Sequence, residues 1–136
     1  MQNLIDLFTG EWYYRSFYNN PDPSVQPNDL LFGSGTMIFE NIDVEPGVVN
    51  GRFDFGSGYN MTFKGWITYG NPMSLRLRAL GIPGTSTDGW IYDYYCHYVS
   101  QWPYGVNQRK ALVGSVIRAV PHNGEPAGVV ASFYAC

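Results

Sequence analysis

Eight short segments of alternating apolar and polar residues, bounded by Gly, Pro, Asn or Asp, constrain this chain more than any other feature. They cover residues 11–19, 30–40, 47–56, 58–68, 73–81, 88–99, 110–120 and 127–135. A period of two gives each segment one apolar face, which is the signature of a half-buried strand. Aromatic residues make up 17% of the chain and charged residues only 14%, and rings pack well on a pleated surface. Glu45-Pro46-Gly47, Gly56-Ser57-Gly58, Gly70-Asn71-Pro72 and His122-Asn123-Gly124-Glu125-Pro126 read as hairpin turns. Longer loops are expected at Asn19–Asp29, Pro83–Gly89 and Trp102–Asn107, and a short helical turn at residues 2–8.

Eight successive strands joined mostly by short turns make an antiparallel up-and-down meander. Closing it removes the exposed edges that invite aggregation. The expected fold is therefore all-β: an eight-stranded antiparallel up-and-down β-barrel with a short N-terminal helical turn. A two-sheet sandwich is the alternative. With 136 residues the chain fits one domain, 1–136. Eight strands leave an interior wide enough for side chains or one small ligand.

Several function classes fit poorly. The net charge is −3, with only 8 Lys and Arg and no run of them, so phosphates would meet no basic stripe and no nucleic-acid partner is expected. Residues Met1 to Phe8 lack the basic and long apolar regions of a signal peptide, and no apolar run suits a membrane span. Cys96 and Cys136 form neither a metal spacing nor a disulfide framework, and read as free thiols of a cytoplasmic protein. There is no Gly-x-Ser-x-Gly elbow, no His-Glu-x-x-His and no phosphate-binding Gly loop. No cofactor and no metal are expected.

Two positions bracket the strands: Trp12 in Gly10-Glu11-Trp12, and Arg118 at the end of the seventh segment. Gly-x-Trp on the first strand with a late Arg resembles the signature of the calycin superfamily, which includes lipocalins, fatty-acid-binding proteins and avidins. The resemblance implies a calycin-like barrel in which Arg118 packs over the Trp12 indole at a closed base. It covers strand count and these few positions. The biotin-binding pattern of avidins has no residue-by-residue counterpart here, so no ligand carries over.

Strand parity suggests which side chains face the cavity. If Trp12 points inward, so do Tyr14, Ser16 and Tyr18, and the hydroxyls of Tyr14 and Ser16 are suited to a ligand. In 88–99 the more apolar face carries Trp90, Tyr92, Tyr94, Cys96 and Tyr98. The opposite register would turn Asp93 and His97 inward, about 13 Å apart and so not a dyad. Tyr59, Met61 and Phe63 form the expected inner face of the fourth strand, leaving Trp66 outside, where an exposed indole is compatible with a homodimer. Arg76 and Arg78 are expected on the outer wall. Trp102, in its Pro-Gly loop, is read either as a lid over the open end or as pinned to the wall, and His122 as a solvent-facing turn residue. The candidate ligand-binding residues are thus Tyr14, Ser16, Met61, Phe63, Tyr92, Tyr94 and Trp102.

The expected function is binding of a small, largely apolar or ring-bearing molecule in an aromatic cavity. The alternative is a cofactor-free cyclase or isomerase that uses the same cavity to fold its substrate. A barrel filled with side chains, serving only to oligomerise, is the third possibility.

Overall fold

The computed structural model describes residues 7–42 and 45–136. Its strands are β1 (Glu11–Tyr18), β2 (Leu31–Ile42), β3 (Val48–Asp54), β4 (Asn60–Thr68), β5 (Ser74–Gly81), β6 (Ile91–Val99), β7 (Ala111–Arg118) and β8 (Val130–Ala135). Each pairs antiparallel with the next, and β1 pairs with β8, from Tyr14 opposite Ala135 to Tyr18 opposite Ala131. The meander is a closed barrel with no free edge, and the sandwich alternative falls. A 3-10 turn, Pro27–Leu30, interrupts the β1–β2 connector. Of the helical turn expected at residues 2–8, Leu7 and Phe8 are helical, and the rest lies outside the described residues. No helix among the described residues is long and apolar enough to cross a membrane.

The period-two reading holds strand by strand. Met61, Phe63 and Ile67 of β4 are buried while Thr62, Lys64 and Trp66 face out. On β5, Leu75, Leu77 and Ala79 are buried, and the arginines stand on the outer wall as expected. Arg78 donates to both carboxylate oxygens of Asp93, at 2.8 and 2.9 Å, and the Arg76 guanidinium lies 4.7 Å from the Tyr95 ring centre. The register of β6 is thereby settled: Tyr92, Tyr94 and Cys96 point inward and Asp93 points out. Cys96 and Cys136 are both free. Burial pushes the Cys96 thiol up to about 12, so it is a neutral core group.

Parity also separates the two ends of the barrel. In a meander every odd strand starts at one end and finishes at the other. Trp12 begins β1 and Arg118 finishes β7, so the two lie at opposite ends. The expected packing of Arg118 over Trp12 is therefore corrected. The cation over the indole is Lys110, just before β7, with its Nζ 5.2 Å from the ring centre. That ammonium also donates to the Leu7 carbonyl, and the Trp12 indole N–H donates to the Phe8 carbonyl at 3.0 Å. Phe8 itself is fully buried, with its ring 4.8 Å from Phe39 and 6.1 Å from Trp12. This closes the Trp12 end.

Above that plug the barrel is filled with rings. Phe53 stacks on Tyr94 at 5.1 Å and packs against Phe63 at 5.2 Å, while Tyr14 meets Phe133 at 5.4 Å. Among the described residues the middle of the interior is packed with rings, and space opens toward the end where Arg118 lies.

Candidate functional site

At that end lies a cavity of about 380 Å³, near the lower limit for small-molecule pockets. Strand ends and three connectors build it, and each part is placed by local chemistry. Its floor comes from β1 and β6, whose inward alternation aligns Tyr14 and Ser16 with Tyr92 and Tyr94. Burial pushes the Tyr14 hydroxyl up to about 12, against the smaller lowering effects of the neighbouring Ser16 and Tyr94 hydroxyls. Burial likewise raises Tyr94 well above the ordinary phenol range. Both hydroxyls thus stay protonated and can donate.

One wall is a stack of rings contributed by three connectors. The Trp90 indole lies 4.0 Å from the His122 ring at 17°, and 5.7 Å from the Tyr59 ring at 26°. Trp90 ends the β5–β6 connector, which is tied down by the buried Thr87. The Thr87 hydroxyl donates to the Asn60 carbonyl at 2.7 Å and accepts from the Ile82 N–H at 3.1 Å. His122 reaches the stack because the β7–β8 connector folds back as a small hairpin. His122 and Glu125 exchange backbone hydrogen bonds of 3.2 and 2.8 Å across Asn123 (φ 50°) and Gly124 (φ 76°). Positive φ at both central residues is what an Asn-Gly hairpin turn requires.

Facing this stack is the site's charged group. Arg118 is only 5% exposed, and its guanidinium lies 5.1 Å from the Phe32 ring centre. It donates to the Pro126 carbonyl at 3.1 Å and, at 3.5 Å, to the Tyr92 hydroxyl. The Tyr92 hydroxyl lies 2.5 Å from His122 Nε2. Burial, and then the neighbouring Arg118 charge, lower the His122 pKa, an effect that Glu125 partly opposes. A neutral imidazole follows, and a consistent chain runs from Arg118 N–H to Tyr92 oxygen, then from Tyr92 O–H to His122 Nε2. His122 Nδ1 then carries the proton, and it is buried with no partner.

The sequence-predicted residues divide into three groups. Tyr14, Ser16, Tyr92 and Tyr94 line the cavity. Met61 and Phe63 point inward but are packed within the core below it, Met61 fully buried and Phe63 against Phe39 and Phe53. Trp102 stands apart from all of these. Its connector follows β6, an even strand, so it lies at the Trp12 end, and the side chain is 72% exposed. The lid reading is corrected by the same parity that moved Arg118.

Phe32, Phe55, Trp90, Arg118 and His122 also line the cavity and were not among the predicted site residues. For Arg118 the signal was present, since the end of an odd strand cannot meet the start of another. For His122 the Asn-Gly turn predicted a tight hairpin, but nothing local showed which ring that hairpin would lean on. No protein-family model, curated protein or solved structure matches the chain.

Proposed function

We propose that the protein binds a small, ring-bearing molecule in the cavity at the Arg118 end of the barrel. The observation that carries this reading is the contrast between the two ends. The Trp12 end is plugged by Phe8 and the middle is filled with rings, yet the other end keeps about 380 Å³ open among aromatic walls and oriented hydroxyls. A barrel built only for stability or assembly has no need of that space, whereas apolar walls with a few convergent polar groups suit a ligand. The likeness to calycin barrels supports it at the level of strand order, while Arg118 departs from their closed-end pattern.

Gly33 offers a direct test. It lines the cavity, and a Cβ there would sit 3.4 Å from Ser16 Oγ and 4.0 Å from Tyr14, an ordinary contact distance. Gly33→Leu should fold normally and fill the space. Native mass spectrometry of the freshly purified protein, with titration by neutral naphthalene derivatives followed by Trp fluorescence, should show binding in the wild type. Binding should be lost in the variant. Equal binding by a well-folded Gly33→Leu protein would sink the assignment of this cavity.

One observation favours a second reading, a cofactor-free isomerase or cyclase: the 2.5 Å contact between the Tyr92 hydroxyl and His122 Nε2. A phenol held against a neutral imidazole can pass a proton within a shaped cavity. Turnover of a bound ligand that is lost in Tyr92→Phe, with binding retained, would distinguish an enzyme from a binder.

A further inference from the structure

We infer that the ligand of this cavity is a carboxylate, held by Arg118 and oriented with its ring against the aromatic walls. The inference rests on the binding reading above and names the chemical class of the ligand. A buried guanidinium is costly unless its charge is met. The ion pairs among the described residues are Arg52 with Glu40 and Arg78 with Asp93, both on the outer wall. Arg118 takes part in neither. Among the described residues no Asp or Glu lines the cavity; the exposed Glu125, whose charge is felt at His122 and Tyr92, forms no ion pair with Arg118, and the guanidinium faces phenols, a carbonyl and the Phe32 ring.

These neighbours position the group without neutralising it. Arginine carries five N–H donors, and the hydrogen bonds to Tyr92 and Pro126 leave donors over. Its planar fork matches a carboxylate in two parallel hydrogen bonds. With Tyr92 accepting from Arg118 and donating to His122 Nε2, the guanidinium keeps N–H groups to spare at the cavity. Such a site favours an acceptor-only group such as an ionised carboxylate.

Size and charge narrow the class. Among the described residues Arg118 is the cavity's one charged group beside a neutral imidazole, which suits a single negative charge better than a phosphate dianion. The small volume and the Phe32, Phe55 and Trp90 rings suit a flat, compact hydrocarbon part. An aromatic or conjugated monocarboxylic acid fits both requirements.

Paired probes test this on the unaltered protein. Cinnamate and naphthoate would be titrated against cinnamamide and naphthamide, which keep the ring and lose the charge, with phenyl phosphate as a third arm. The acids should bind at least about tenfold more tightly than the amides, the scale of a charge-assisted pair. In Arg118→Gln, checked for a cooperative melt, that preference should vanish. Arg118→Lys should retain part of it. Equal binding of acid and amide by the wild type would overturn the carboxylate assignment and leave the binding reading standing. Tighter binding of phenyl phosphate would overturn it in favour of a phosphoryl group. Failure of every acid, amide and neutral naphthalene probe would remove both readings together.

Discussion

Trp12 and Arg118 look like partners when each is read beside its neighbours in the chain, and they are not. Trp12 is 2% exposed, anchored through its N–H to the Phe8 carbonyl and covered by the Lys110 ammonium. Arg118 is equally deep at the far end, held by Tyr92 and the β7–β8 connector. The two residues should therefore respond differently to removal. Trp12→Ala leaves a large void under the N-terminal plug and should cost about 3–5 kcal/mol, as losses of buried Trp and Phe side chains do. Thermal or urea denaturation would read it, with ligand affinity per folded molecule unchanged. An unaltered melting temperature would show that the plug does not hold this end.

At the scale of elements, the strands make the wall and the connectors make the site. Three connectors at the Arg118 end each supply one ring of the Tyr59–Trp90–His122 stack. The β5–β6 connector is fixed by one buried hydroxyl, Thr87, which satisfies a carbonyl on β4 and an N–H of its own loop. Thr87→Val keeps the shape and leaves both backbone groups unpaired. It should cost about 1–3 kcal/mol, the penalty for an orphaned buried polar group. It should also loosen Trp90, weakening cavity binding and shifting Trp emission toward the red. Loss of stability with unaltered binding would show that Trp90 keeps its place without this anchor.

For the whole molecule, acid should act first through the site. His122 has a lowered pKa because burial, then the Arg118 charge, disfavour imidazolium, against a smaller opposing effect of Glu125. Its other close neighbours, Trp90 and Tyr92, are neutral. The unfolded chain therefore takes up this proton more readily than the folded one. Stability is fully present above the unfolded value of about 6.5, falls as pH drops through the lowered folded value, and then levels off. Melting temperatures of the wild type should decline as the pH falls below about 6.5. In His122→Gln that decline should be absent. A parallel decline in both proteins would place the acid sensitivity elsewhere.

Local chemistry was enough to specify the eight strands and to favour the closed meander, while the structure removed the sandwich alternative and decided which face of β6 points inward. Alternation is a property of neighbouring residues, and a strand exposes its two faces in strict turn. Thus Tyr14 and Ser16 could be placed on an inner face from sequence, and Tyr92 and Tyr94 on the more apolar face of their strand. The depth of a residue along the barrel axis is another matter, because it depends on register and on how many rings lie below. That is why Met61 and Phe63, on the correct face, are core residues and not cavity residues. Trp102 and Arg118 could have been assigned to their ends by counting strand directions. Only the tertiary structure joined Arg118, Tyr92, Trp90 and His122 into one site, since their contacts link two stretches, 90–92 and 118–122, that are far apart in sequence.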